Sequence, residues 1–363
     1  MINRIAELAR EIGDNRQKVR ALLASANFSI WTGKIQQWLS DAEAAIALAD
    51  TPELRQELSV AYQLAGWAHH RMADFSDAQT CFDRAEELFD PQSQSTASLF
   101  TMVDAGVQSR ALRALTLWEL GYQDQAKVLA EETIRLAEGR SHPVSIAFVQ
   151  AIASSVFSRR GETRRALEVA ESALAICEEH GYIANLAITL NAKGPALLAH
   201  GQVEEATIQL NRALDLVREE GMGVFLPDIA SPLSDAYLRS GRVDQARLLV
   251  DEALQVSQRD RNLLPWAELL MAKGEILMRT DPDGADQARA CFAEARDFAR
   301  SRSARSQELR ATMSLARLLD KQGKRDQARA MLAEIYGWFA EGFDTADLKE
   351  AKSLLKELNS KSS

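Results

Sequence analysis

An all-α solenoid of antiparallel helix pairs is the fold class that this sequence predicts, and three observations carry the prediction. A short motif ending in alanine recurs at nearly constant spacing along the chain. A small residue stands twelve positions before that alanine in most copies. Further apolar or small residues follow it at four and seven positions, the spacing that keeps them on one helical face.

Taken in chain order, residues 1 to about 30 read as one or two helices, marked by Ile5, Leu8 and Ile12 and then by Val19, Leu22 and Leu23. With a weaker first copy beginning at Gly33 they make up an N-terminal portion over 1–50. Seven clear repeats occupy 51–340, with the motif at 74–78, 121–126, 161–166, 201–206, 241–246, 284–288 and 323–328. The closing alanines, Ala78, Ala126, Ala166, Ala206, Ala246, Ala288 and Ala328, are 48, 40, 40, 40, 42 and 40 residues apart. The connector over 90–98, rich in Ser and Gln, accounts for the long first step. The small residues are Gly66, Ala114, Ser154, Gly194, Ser234 and Ala316, with Gly274 fourteen before Ala288 because Asp281 and Pro282 lengthen that turn. Two helices cross closely only where both lack bulk, so these positions mark the crossings. Glycine between the helices permits positive φ and ends the first helix, and an Asp or Glu after it is expected to cap the second. Pro195 and Pro232 fall inside first helices, where kinks are expected. The region 341–363 reads as a capping helix and tail, with the helix near 345–358 and Asp344 at its N-cap. The expectation is one solenoid domain over 1–363 with seven to eight repeats and a polar-faced cap, which a solenoid end needs.

Composition narrows the function. The formal net charge of -9, with Lys and Arg scattered, excludes a general nucleic-acid binder, which needs a clustered basic face. No stretch of eighteen apolar residues exists, so no membrane span is expected, and the first residues lack the apolar run of a signal peptide. Cys81, Cys177 and Cys291 show neither metal spacing nor a disulfide framework, which fits a reducing cytoplasm. Cys81 and Cys291 share a repeat position, so core packing is their expected role. The five histidines are scattered, and His69 and His70 are adjacent, about 100° apart on a helix, so no metal site is expected. No phosphate-binding loop and no Ser-His-Asp or Cys-His spacing appears. The expectation is no cofactor, no metal, no catalytic residue and no enzymatic activity.

The pattern of small residue, Gly-x-x-x-x-Ala, aromatic or aliphatic residue and Ala resembles the tetratricopeptide repeat. Its step of 40 exceeds that family's usual length of about 34 and is similar to the longer-helix arrays of MalT-type transcription activators. The resemblance implies a right-handed superhelix with the first helix of each pair lining an inner groove. A narrower resemblance rests on Ser306 through Arg317, then Gln322-Gly323-Lys324-Arg325-Asp326-Gln327-Ala328, Tyr336-Gly337-Trp338-Phe339 and Glu341-Gly342-Phe343-Asp344-Thr345. This run, together with Phe89-Asp90-Pro91 and Leu117-Trp118-Glu119-Leu120-Gly121-Tyr122, is similar to the C-terminal array of bacterial proteins joining a class III nucleotidyl cyclase to an ATPase module. It implies a place in a cyclase–ATPase signalling system, without either activity.

The repeat family's inner-wall frame, carried over position by position, implies Gln63, Trp67, His70 and Arg71, then Gln108, Trp118 and Glu119, then Phe148 and Arg159. Asn191 follows, then Asp228, Asp235 and Arg239, then Glu268, Glu275 and Arg279, and finally Arg310, Arg317 and Lys321. The wall reads as aromatic and polar first, acidic in the middle and basic at the end, an order suited to orienting an extended peptide or partner helix. The position after each small residue is never the Asn of a carboxylate clamp. The expectation is a protein- or peptide-binding scaffold or regulatory sensor; the alternative is a small-molecule sensor using Trp67, Trp118 and Phe148. Docking of solenoid ends or convex faces would add homo-oligomers, with Trp31, Trp38, Trp338 and Phe339 near the ends either in such contacts or in the end caps.

Overall fold

A computed structural model describes residues 14–89, 102–281 and 284–360. These residues form seventeen α-helices and two short 3-10 turns, and no strand occurs among them. The first helices of the pairs are α1 (Asn15–Trp31), α3 (Arg55–Arg71), α5 (Ala105–Leu120), α7 (Pro143–Arg160), α9 (Ile183–Ala199), α11 (Leu226–Arg239), α13 (Trp266–Thr280) and α15 (Arg305–Lys321). Their partners are α2 (Ile35–Leu48), α4 (Phe75–Leu88), α6 (Gln123–Arg140), α8 (Thr163–His180), α10 (Val203–Glu219), α12 (Val243–Asp260), α14 (Ala285–Ser301) and α16 (Arg325–Tyr336), and α17 (Ala346–Ser360) follows. The expected helix at Ile5, Leu8 and Ile12 and the connector over 90–98 lie outside the described residues.

Odd-numbered helices pack on the next odd-numbered helix along the whole array, whereas the even-numbered ones pack on their sequence neighbours and reach one another through surface ion pairs such as Arg165–Glu131 and Arg212–Glu178. The odd helices are therefore an inner row and the even helices an outer row, the layering of a tetratricopeptide-like solenoid.

The crossing points follow the sequence register. All seven motif alanines, from Ala78 to Ala328, have 0% exposure. A Cβ on Gly66 would come within 2.8 Å of the Phe82 ring, one on Gly194 within 2.5 Å of Leu210, and one on Gly274 within 2.5 Å of Phe292. Each of those bulky partners stands four residues after its motif alanine. Where the inner residue is Ala114 or Ser154, that position holds Ala130 or Ala170, so volume is conserved across the crossing. Pro195 and Pro232 both lie inside inner helices, α9 and α11.

Two expectations about helix ends are corrected. The residues before the outer helices, Asp74 and Glu162 among them, make no side-chain cap hydrogen bond. Acidic groups act from the first turn instead, at Asp77, Asp124, Glu204, Asp244, Asp286 and Asp326. Asp344 does not cap α17 either: its carboxylate is bonded to Arg160, and Thr345 directly precedes the helix.

The inner row does not remain open. After five helix pairs the coil meets itself, with α15 packed on α5 and α17 on α7. A strap over 337–345 seals this seam. Arg160, buried with its guanidinium raised to a still higher pKa by surrounding carboxylates against the pull of desolvation, donates to both oxygens of Asp344 at 2.9 and 3.1 Å and to Asp124 at 2.9 Å. Glu341 Oε1 accepts from the Asp124 and Gln125 amides at 3.0 and 3.2 Å, capping α6 from across the seam. Thr345 Oγ1 donates to Gln123 at 2.9 Å, and Ser306 Oγ donates to the Trp118 carbonyl at 2.5 Å. Gly121 must be glycine twice over: its φ is +93°, and a Cβ there would stand 2.5 Å from Trp338. Further along, Asp74 pairs with Arg302, and the Arg71 carbonyl accepts from Leu263 N and Leu264 N at 2.8 and 3.0 Å. Of the four aromatic residues near the ends, Trp38 is buried against Trp67, Phe339 is buried at the seam, Trp31 packs against Phe225, and Trp338 is 39% exposed over the seam.

Candidate binding channel

Closure turns the inner wall into the lining of a channel. A larger cavity of about 590 Å³ and a smaller one of about 130 Å³ lie end to end inside it. They share Ser155, Arg159, Asn191, Asp228 and Glu268. A depression of about 830 Å³ on the outer side, between α10 and the turn after α11, is a furrow between adjacent helices walled mainly by exposed polar groups.

The residues named from the repeat frame divide between these spaces. Trp67, His70, Arg71 and Phe148 line the small cavity, and Trp118, Asp235, Arg239, Glu275, Arg310 and Arg317 line the large one. Arg159 and Asn191 line both, whereas Gln63, Gln108, Arg279 and Lys321 line neither. Gln63 is wholly buried with neither amide atom bonded, and Gln108 Oε1 is likewise buried without a partner. Arg279 donates to the Leu238 carbonyl at 2.8 Å, and Lys321 is exposed at the end of α15.

The aromatic end differs from the expected open groove. Trp67 is 5% exposed, Phe148 2% and Trp118 1%. Trp67 packs edge-on against Trp38 at 5.2 Å and Phe148 at 6.3 Å. Arg71, instead of reaching into solvent, donates to Asp228 on α11 at 3.0 and 2.5 Å and lies over the Phe225 ring at 5.0 Å. His70 is neutral: burial first, then Arg71 and Arg159, push its pKa down to about 3. The Thr116 hydroxyl donates to the Leu112 carbonyl, so His70 Nδ1–H donates to Thr116 Oγ1 at 2.9 Å. These side chains hold the two halves of the coil together.

Where the cavities meet, five ionisable groups from five inner helices converge. Arg159 on α7 stands 3.3 Å from Glu119 on α5 and 3.2 Å from Glu268 on α13, and Arg310 on α15 donates to Glu268 at 2.8 Å. Burial pushes Glu268 up, but the two guanidinium groups outweigh it and hold the carboxyl low. Glu119 has Arg159 at one oxygen and Arg310 farther off, and its Oε2 is buried without a hydrogen-bond partner. Desolvation therefore dominates and raises it to about 7. Asp347 on α17 completes the group and is also raised, chiefly by burial.

Sequence reasoning passed over Asp347 and Glu350, which line the large cavity. The final helix was read as a cap, yet it continues the inner row, so its acidic face continues the wall. Pro195 and Pro232, expected only as kinks, also line the large cavity. Among the described residues no cluster of His, Cys, Asp or Glu could hold a metal ion, and no helix is long and apolar enough to cross a membrane. The thiol of Cys81, half-buried, is pushed up to about 11 by desolvation and the nearby Asp77 and Glu43.

No protein-family model matches this sequence, and no curated protein matches it. Solved structures do. A Rap protein complexed with Competence and Sporulation Factor is 12% identical, with a TM-score of 0.60 over 95% of this chain and 98% of that one. A Rap conjugation gene regulator in complex with a Phr peptide is 11% identical, with a TM-score of 0.57 over 94% of this chain and 96% of that one. The apo form of the quorum sensor NprR from B. thuringiensis is 13% identical, with a TM-score of 0.54 over 90% of this chain and 88% of that one. At such identities the likeness shows the fold, a helical-repeat solenoid of tetratricopeptide type.

Proposed function

We propose that this protein is a non-catalytic regulatory module that binds a peptide, or an extended segment of a partner protein, inside its closed channel. The observation that carries this reading is the cavity of about 590 Å³ enclosed by inner helices, a size within the range of about 300–1,000 Å³ typical of ligand sites. Two of the similar structures hold ligands named as Competence and Sporulation Factor and a Phr peptide, and we carry ligand binding over to this chain as part of the proposal.

The small-molecule alternative needs the aromatic end. There the space is about 130 Å³, under the range of about 300–1,000 Å³ typical of ligand sites, and its walls are already packed against one another. The larger, polar cavity is the better receptor. The tail resemblance adds that the module serves a cyclase–ATPase signalling system; one stretch of the run that carries it, Glu341 to Thr345, also belongs to the strap that closes the coil, and co-purification with a nucleotidyl cyclase tests the link.

The main test fills the cavity. Ser314 lines it from α15, and Ser314→Trp places an indole there. Affinity capture from native lysate is expected to retain a partner on the wild type and lose it on the variant, with both giving the same circular dichroism. Equal capture by both moves the binding site to the outer surface and overturns the proposal.

A further inference from the structure

The large cavity is unequal in what its own side chains satisfy. Four guanidinium groups line it and all are committed: Arg159 and Arg310 to Glu268, Arg239 to Asp235 and the Leu198 carbonyl, and Arg317 to Glu350. Of the carboxylates, Asp228 is taken by Arg71 on the neighbouring wall. Glu275 on α13 has no hydrogen bond or ion pair among the described residues, and Asp347 on α17 has no contact partner either, feeling Arg310 and Arg159 only at longer range. The leftover charge is negative, although the wall had read as basic at its far end.

A second observation is independent of charge. Asn191 lines both cavities, and its side-chain oxygen is buried without a partner. Pro195 and Pro232 line the large cavity from inside their helices, and a proline has no N–H for the carbonyl four residues back. Those carbonyls belong to Asn191 and Asp228, which lie on the same helical face and also line the cavity. Oxygen acceptors are thus in excess where donors are already spent, and a buried acceptor left unfilled is destabilising. A matching occupant brings donors of its own.

We infer that the occupant of the channel is an extended, positively charged peptide segment, its main-chain N–H groups facing Asn191 and the two proline-freed carbonyls and its cationic side chains facing Glu275 and Asp347. This rests on the peptide-binding reading above and gives it a ligand chemistry. An extended main chain presents one N–H per residue, which answers the acceptors; ammonium or guanidinium groups answer the unpaired carboxylates.

The experiment immobilises the full chain, exposes it to an equimolar mixture of short synthetic peptides of all charge types, and reads the retained peptides by mass spectrometry. On the wild type, Lys and Arg are expected to be enriched over Asp and Glu by about threefold or more. Glu275→Gln with Asp347→Asn is expected to abolish that bias, while Asn191→Leu weakens retention of all peptides and leaves the bias in place. Retention of neutral or acidic peptides, or a bias that survives in the double variant, overturns this inference and leaves peptide binding standing. No retention of any peptide overturns both. A thermal shift with spermidine in the absence of peptide retention assigns the acceptors to a free polyamine, and the peptide assignment falls.

Discussion

Single side chains decide how closely the two rows approach. At Gly274 a methyl group would gain about 1 kcal/mol of helix propensity but would enter the space of the Phe292 ring, 2.5 Å away, and overpacking costs about 1–3 kcal/mol. Gly274→Ala is therefore expected to lower the melting temperature, and adding Phe292→Leu is expected to recover part of the loss; additive losses would show that the two residues do not share a crossing. Such pairs were legible in the sequence because a crossing is a local event set by residues sixteen or eighteen apart. The state of Glu119 was not legible, since the groups that set it come from three other helices. Its folded pKa, about 7, lies above the ordinary carboxylate value, so between the two the folded chain holds a proton that the unfolded chain has released. By linkage, its contribution to stability falls as pH rises through that window. His70 works the other way over the same range, because its imidazole is neutral in the folded chain and charged in the unfolded one below its ordinary value, so urea melts between about pH 5 and pH 8 are expected to show stability rising with pH more steeply in Glu119→Gln than in the wild type. Parallel curves for the two proteins would mean that Glu119 ionises normally.

Elements show where a repeat frame succeeds and where it stops. The frame identifies inner helices correctly from α3 to α15, because the small residue and the motif alanine together mark which face each helix turns inward. It says nothing of the far wall. Trp67, His70 and Arg71 on α3 and Phe148 on α7 occupy inner positions of their own repeats, yet they are covered once α11 and the residues before α13 arrive opposite them. The strap over 337–345 was the least readable element: Asp344 looks like an N-cap from its neighbours, while its partner Arg160 is 184 residues away. Its contribution is measurable. Glu341→Ala removes the acceptor for two α6 amides, a loss of about 1 kcal/mol by comparison with ordinary N-caps. Faster hydrogen exchange at Asp124 and Gln125 is expected, with the amides of α8 unchanged. Unaltered exchange at those two positions would mean that the strap does not cap α6 in solution.

At the scale of the whole molecule, the closed coil follows from accumulated geometry. Each pair adds a small rotation, and only the sum over five pairs brings α15 to α5; no single repeat contains that sum, which is why the sequence reads as an open groove. Arg160, 4% exposed and bonded to Asp124, Glu162 and Asp344, is the densest point of the seam. Arg160→Ala strands those carboxylates and is expected to increase the radius of gyration measured by solution X-ray scattering; an unchanged radius would show that the remaining contacts close the coil alone. The seam also sets an order of assembly. Neighbouring repeats form contacts of short sequence separation and condense quickly as they emerge from the ribosome, whereas Thr345 meets Gln123 across 222 residues. Throughout synthesis of the intervening stretch, the first turn of α6 and the ring face of Tyr122 wait uncovered, and a growing chain exists as an unsealed spiral until its last inner helix is made. Translation speed over the final repeats therefore governs how long that spiral is open to chaperones or to another nascent copy.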